Sequence, residues 1–187
     1  MKLGSLGNAG GVVALLLLTG CLCVQSRPVP PAKAPAFSFE RFVHLEDVAE
    51  NTANASIGDL DGDGDPDIVL AKGRHWPQRD LVLLNDGRGD FGQRHPLGTL
   101  AERTYTAALA DLDGDRDLDL VVGNDRPDAK RVYFNDGHGR FTAAGTFGEA
   151  RWSTRNVTVA DLDGDNRPDI IVANRGGPDN LSENFIC

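Results

Sequence analysis

The sequence predicts an all-β fold, built from sheets of four short antiparallel strands that repeat along the chain. One observation is an aspartate-rich segment that occurs three times, starting at Asp59, Asp111 and Asp161. A second is the apolar, largely β-branched run that follows each copy. The third is the content of 22 glycines and 10 prolines in 187 residues, which suits the turns between short strands better than long helices.

The three aspartate-rich segments, which we call the Asp loops, share the order Asp-x-Asp-Gly-Asp-x-x-x-Asp and lie inside a longer repeat. A phenylalanine, a threonine and an aliphatic residue stand at matching distances before each loop. These residues are Phe39, Phe91 and Phe141, then Thr52, Thr104 and Thr154, and then Ile57, Leu109 and Val159. The matches predict repeats over about 39–90, 91–140 and 141–187, within a repeat region of 37–187.

Each repeat is expected to contribute four strands. The first is the alternating stretch before the loop, such as Val157–Val159. The second is the apolar run after the loop, 68–70, 120–122 or 170–172. Consecutive apolar residues predict a strand buried on both faces, as expected when sheets stack on one another.

The third strand is predicted at 80–84 and 131–134, and the fourth begins at Phe91 and Phe141. An Asn-Asp-Gly turn separates them, because glycine accepts the positive φ that such hairpin turns require. Four-stranded sheets at this repeat length are typical of the blades of a β-propeller.

The first Asp loop and the trailing turn Asn85-Asp86-Gly87 resemble FG-GAP/VCBS repeats. Such repeats form the propeller at the head of integrin α chains and occur in many bacterial secreted proteins. The resemblance covers roughly Phe39–Cys187, nearly all of the expected mature chain, and loop, flanking strands and hairpin turn recur in the same order. It implies a propeller module with calcium loops.

The Asp loops are expected to bind Ca²⁺ as a structural ion, at three sites, because several converging oxygen ligands suit a hard cation. Carboxylates at positions 1, 3, 5 and 9 and the backbone carbonyl at position 7 form the predicted ligand set. Its members are Asp59, Asp61, Asp63, Asp65 and Asp67; Asp111, Asp113, Asp115, Asp117 and Asp119; and Asp161, Asp163, Asp165, Arg167 and Asp169. An EF-hand is excluded, since strands replace its helices and position 9 closes the loop. The alternatives are a solvated acidic turn that binds nothing and, less favoured, Mg²⁺.

The charge is concentrated in these loops. The chain carries 28 acidic and 19 basic residues, a net charge of −9, yet half of the acidic residues lie in the three loops. A nucleic acid partner is not expected, because phosphates require basic patches.

The first 36 residues are predicted to direct the chain to a membrane. A short apolar run over 12–18 predicts a signal peptide over 1–20, and Leu18-Thr19-Gly20-Cys21 resembles the lipobox of bacterial lipoproteins. Cys21 would carry the lipid, and the proline-rich 21–36 would form an extended tether. We therefore expect an extracytoplasmic, membrane-anchored lipoprotein at the outer membrane or cell surface. The alternative is an ordinary secretory signal with a chance cysteine.

No catalytic motif is found, and we do not expect an enzyme. The connections at the end of the blades opposite the Asp loops contain cationic and aromatic residues suited to a protein or glycan ligand. This possible ligand face consists of Arg74, Trp76, Arg126, Trp152 and Arg175. A solvated polar rim is the alternative.

Three repeats and the start of one more strand are fewer than the four to eight blades of a closed propeller. Residues 184–187 align with 131–134, so the expected architecture is an incomplete ring, from either a truncated product or assembly with other chains. The sequence as a whole predicts a calcium-binding, extracytoplasmic protein- or glycan-binding lipoprotein. The alternative function is a truncated, non-catalytic propeller module of a larger secreted enzyme, such as a polysaccharide-degrading one.

Overall fold

The computed structural model describes residues 42–176 and 183–187. These residues form eleven strands and no helix. The strands are β1 Thr52–Gly58, β2 Asp67–Lys72, β3 Leu81–Leu84, β4 Gln93–Pro96, β5 Thr104–Ala110, β6 Asp119–Asn124, β7 Lys130–Asn135, β8 Phe141–Phe147, β9 Thr154–Ala160, β10 Asp169–Asn174 and β11 Phe185–Ile186.

The strands assemble into three antiparallel sheets, which we call blades one, two and three. Their strand orders are β1-β2-β3-β4, β5-β6-β7-β8 and β11-β10-β9. The all-β prediction is confirmed, and the architecture is consistent with an incomplete propeller. Blades one and two each take their fourth strand from the next sequence repeat: β4 and β8 lie within 91–140 and 141–187.

The strand boundaries differ from the prediction in two places. β8 begins at Phe141 as expected, but β4 begins at Gln93, two residues after Phe91. In blade three, the Cys187 N–H and the Ile170 carbonyl are hydrogen-bonded, which puts Cys187 in the place of Tyr133 in blade two. The predicted alignment of 184–187 with 131–134 is therefore wrong by one residue. Because strand side chains alternate between faces, this shift reverses the face of each side chain.

The second strand is buried in blades one and two, as predicted, but not in blade three. Every residue of β6 is buried and all but one of β2, whereas most of β10 is only half-buried or exposed. The difference follows from blade packing, since β1 and β2 pack against β5, and β5 and β6 against β9. The main core, with Leu60, Val82 and Leu120, accordingly lies between blades one and two.

A β-bulge interrupts the first strand of every blade at the same place. The register shifts between Thr52 and Asn54, between Thr104 and Thr106, and correspondingly in β9. The extra residue is Ala53 in blade one, Tyr105 in blade two and Arg155 in blade three. A bulge bends the strand and re-aims the side chain. These three positions therefore share a geometry at the end of the blade away from the Asp loop.

Buried polar side chains join neighbouring blades. Asp80 of blade one accepts the Lys72 N–H at 2.7 Å, and its other oxygen lies 2.9 Å from the hydroxyl of Thr104 in blade two. The same hydroxyl lies 2.8 Å from Asn124 Oδ1. The Thr104 hydroxyl therefore lies within hydrogen-bond distance of an acceptor oxygen in each of the two blades. Burial in turn raises the pKa of Asp80 to about 7.

The connection between blades two and three is held differently. Lys130 stands in blade two where Asp80 stands in blade one, and its buried ammonium donates to the carbonyls of Trp152 at 2.6 Å and Glu149 at 3.0 Å. Burial lowers the pKa of Lys130 to about 8. A carboxyl group and an ammonium group thus occupy equivalent positions, and each is hydrogen-bonded to groups of the following blade.

Two predictions concern residues beyond those described. The signal peptide over 1–20 and the tether over 21–36, with Cys21, lie outside 42–176 and 183–187. Across the described part of the chain, no helix is both long and apolar enough to span a membrane.

Candidate metal sites

Each Asp loop connects the first two strands of its blade and brings three carboxylates together. One oxygen from each member of the group lies within 4.8 Å of the others. The groups are Asp59, Asp61 and Asp67; Asp111, Asp113 and Asp115; and Asp161, Asp163 and Asp169. These nine residues were all predicted as ligands, and the groups could hold metal ions.

The loop folds because its aspartates accept the backbone N–H groups that follow them. Asp59 accepts from Gly62 at 2.8 Å and from Gly64 at 3.0 Å. Asp61 and Asp63 each accept the N–H two residues further on, at 3.3 and 2.9 Å. The same four bonds recur in loops two and three. Local side chain-to-backbone bonds of this kind are the reason that Asp favours turns.

The aspartate at position 9 is the most buried carboxylate of loops one and two. Both Asp67 and Asp119 are fully buried, and each uses its two oxygens on different backbone groups. Asp119 accepts the Leu112 N–H at 2.8 Å and the Asn135 N–H at 2.9 Å. It thereby ties the start of its loop to the hairpin turn between β7 and β8. From the sequence spacing alone, the aspartate at position 9 was predicted only as a metal ligand.

The position 7 side chains point elsewhere. The Asp65 carboxylate lies against Gly87, and Asp117 lies against Gly137, so closely that a Cβ on either glycine would stand 2.4 or 2.5 Å from a carboxylate oxygen. These side chains fill the space beneath the Asn-Asp-Gly turns. This placement agrees with the expectation that position 7 offers a backbone carbonyl rather than its side chain.

The electrostatics of the loops favour a cation. Burial raises the pKa of Asp61, and the charges of Asp67, Asp63 and Asp59 raise it further. Burial and the charges of Asp113 and Asp115 act in the same way on Asp119. Within the described residues, the second oxygen of Asp61 has no hydrogen-bond donor, so it is free to bind a cation. An all-oxygen, multiply charged donor set fits Ca²⁺.

Loop three departs from the other two. Its Arg167 side chain donates to the Asp165 carboxylate at 2.9 Å. This predicted ligand therefore already has a hydrogen-bond partner within the loop. The salt bridge also lowers the pKa of Asp165. Leu162 is 55% exposed, whereas Leu60 at the same position of loop one is 1% exposed. Loop three therefore has the same backbone hydrogen bonds as the other loops but is more exposed to solvent.

Positive φ occurs at two positions of each loop. At position 4, Gly62, Gly114 and Gly164 have φ of 76°, 87° and 80°. Position 6 needs it as well, and there loop one has Gly64 but loop two has Arg116, at φ 80°. Glycine accepts this conformation without the steric cost that a Cβ brings.

Replacing Arg116 with glycine should therefore stabilise the chain, by about 1 kcal/mol after the entropy that glycine adds to the unfolded chain is subtracted. The Arg116 N–H that bonds Asp111 is kept. Urea denaturation would measure the gain. Arg88→Gly is the matched control, since Arg88 is exposed in a turn at negative φ, and it should not stabilise. Equal effects of the two changes would contradict the assignment.

The opposite end of the blades carries a cationic and aromatic cluster, which we call the rim cluster: Arg74, His75, Trp76, Tyr105 and Arg155. The Arg155 guanidinium lies 3.9 Å from the centre of the Tyr105 ring, and the Tyr105 hydroxyl lies 3.1 Å from His75 Nδ1. Trp76 is 64% exposed. Asp125 fixes Arg155 through a salt bridge of 3.1 Å.

The five residues predicted for a ligand face do not form one group. Arg74 and Trp76 belong to the rim cluster, and Arg126 and Arg175 are exposed on neighbouring connections. Trp152 is buried and stacks on Phe185, with ring centroids 4.3 Å apart. Sequence reasoning missed Arg155. The signal was its alignment with Tyr105, because equivalent residues of stacked blades lie side by side.

Comparison with protein families gives one match. The model of the FG-GAP-like repeat matches residues 59–122 and 111–172. Together the matches cover more than half of the chain, and each runs from one Asp loop through the second strand of the following blade. A search of curated proteins found none that matches.

Proposed function

Because the chain belongs to the FG-GAP-like repeat family, we propose that it is a calcium-stabilised, propeller-type binding module that acts outside the cytoplasm. The observation that carries this proposal is the repeated loop frame. Three loops with the same backbone bonds each bring three carboxylates within 4.8 Å of one another. Converging charges of this kind repel unless a cation binds among them.

The calcium has a structural role in this proposal. The predicted ligands lie between the first two strands of a blade, and the position 9 carboxylate reaches the turn between the third and fourth. An ion bound among these groups would hold both hairpins of a blade together. FG-GAP repeats are generally non-catalytic, and the loops need no catalytic role to explain their residues.

The proposed ligand site is the rim cluster. Its exposed indole and its guanidinium groups combine an apolar stacking surface with hydrogen-bond donors, which suits a glycan or a protein loop. Asp125 and Tyr105 hold Arg155 in place from two sides, so its guanidinium is ordered before a ligand arrives. Preorganisation of this kind lowers the entropic cost of binding.

Membrane anchoring through Cys21 completes the proposal. The lipobox-like residues 18–21 and the proline-rich segment that follows them support it. The rim cluster would then be presented to ligands outside the cell membrane.

The double substitution Arg74→Ala/Trp76→Ala should abolish binding of the full chain to the members of a glycan panel that it recognises. Arg88→Ala/Arg140→Ala is the matched control, since both side chains are exposed in turns at the Asp-loop end. That control should bind as the unaltered chain does. Binding that survives the first substitution would remove the rim cluster from the site. Loss of binding in both variants would contradict a localised ligand face.

A further inference from the structure

The junction between blades one and two depends on a leucine of the first Asp loop. Leu60 is 1% exposed because it lies beneath the β7–β8 turn of blade two. Its carbonyl accepts the Asn135 side-chain amide at 2.8 Å and the Gly139 N–H at 2.7 Å. Leu162 occupies the same position in blade three, where it is 55% exposed. Among the described residues, the inserting leucine of blade three is therefore exposed.

The receiving half lies exposed on blade one. In blade two, Leu109 just before the Asp loop packs against the core shared with blade one, next to Gly58. Ile57 is its counterpart in blade one and is 68% exposed. Two apolar side chains equivalent to those buried at the junction of blades one and two are therefore exposed, one on blade three and one on blade one.

A polar pair follows the same pattern. Across blades one and two, Asp80 lies 2.9 Å from the Thr104 hydroxyl. The counterpart of Asp80 in blade three is Asn184, since each accepts the backbone N–H at the end of the second strand through its Oδ1. The counterpart of Thr104 in blade one is Thr52, and both Asn184 and Thr52 are exposed. In Asn184 the oxygen accepts the Asn174 N–H, so the side-chain amide nitrogen takes the place of the second Asp80 oxygen and can donate to a hydroxyl oxygen.

We propose that blade three of one copy packs against blade one of a second copy, and so reproduces the junction that joins blades one and two. The occupant is a second copy of this chain, because the chain itself carries the complementary half at matching positions. The contact is head to tail, and two such contacts would join six blades, within the four to eight of closed propellers.

The oligomeric state of the full chain in calcium tests this directly. Sedimentation over a wide concentration range should show a dimer, and Leu162→Asp or Ile57→Asp should each give a folded monomer. If circular dichroism shows that Leu162→Asp does not fold, Leu162→Ser is the milder change, and it should also weaken the dimer. Leu100→Asp is the matched control, because Leu100 is 49% exposed but lies on the connection from β4 to β5, away from the proposed contact residues Leu162 and Ile57 in the sequence. It should remain dimeric.

Mixing the two monomeric variants distinguishes the geometry. Leu162→Asp keeps an intact blade one and Ile57→Asp keeps an intact blade three, so an equimolar mixture should recover a dimer with one junction. A symmetric contact between two copies of the same face would instead leave one of the variants dimeric on its own. That result, a mixture that stays monomeric, or a monomeric unaltered chain would each overturn the proposal.

Discussion

Removal of calcium is expected to lower the melting temperature of the full chain by roughly 15–30 °C. A ligand that binds only the folded state at one hundred times its dissociation constant contributes about 2.7 kcal/mol per site, so three sites contribute about 8 kcal/mol. For a chain of this size each kcal/mol corresponds to about 2–4 °C. Thermal melting in calcium and in excess chelator measures the difference.

The control for this experiment removes ligands without disturbing the loop frame. The triple variant Asp61→Asn/Asp113→Asn/Asp163→Asn changes position 3 of each loop, where an amide oxygen can still accept the N–H that the carboxylate accepts. It should melt at the same temperature with and without calcium. Magnesium should restore less stability than calcium, since it prefers octahedral geometry and retains waters. If the unaltered chain melts at the same temperature with and without chelator, a structural role for calcium is contradicted.

The fold was predictable because its repeat is set by chemistry that is visible in the sequence. An alternating row of aspartates with a glycine at position 4 has few other uses, and a following apolar run fits only a strand buried on both faces. Three aligned copies then locate the sheets. The start of β4 was less predictable, because the same turn precedes Phe91 and Phe141 but only Phe91 is followed by a glycine, Gly92, which weakens a strand.

The packing between blades could not be predicted in the same way. Whether Trp152 faces solvent or Phe185 depends on the register of β11, and a shift of one residue reverses the faces. The recurring bulge likewise leaves no mark in composition, since Ala53, Tyr105 and Arg155 share no chemistry. Yet the bulge brings Tyr105 and Arg155 together in the rim cluster. Positions that match across repeats therefore identify neighbours even when their residue types differ.

The second role of the position 9 aspartate, which is to accept backbone N–H groups, could be recognised only in the structure. A carboxylate at the end of an Asp loop is a plausible ligand in sequence, but only the structure shows that both of its oxygens accept backbone N–H groups from two different turns. Such a residue contributes to stability whether or not an ion is bound. The contribution can be separated from that of calcium by experiment.

Replacement of Asp119 with alanine is expected to destabilise the chain by about 3–5 kcal/mol even in chelator. The change leaves the N–H groups of Leu112 and Asn135 without their acceptor, and an unsatisfied buried donor costs about 1–3 kcal/mol. The lost hydrogen bonds to a charged group add to this. Asp119→Asn keeps one acceptor oxygen and should give an intermediate loss. Urea denaturation in excess chelator measures all three chains.

Asp115→Ala is the matched control, since Asp115 belongs to the same loop but is exposed and accepts only the Asp117 N–H. In calcium both alanine variants should be destabilised, because both lose a predicted ligand. In chelator the Asp115 variant should approach the unaltered chain, whereas the Asp119 variant should remain well below it. Equal stabilities of the two variants in chelator would show that position 9 acts through the ion alone. A persistent gap would instead mean that the Asp119 carboxylate holds the two hairpins of blade two together before any cation binds.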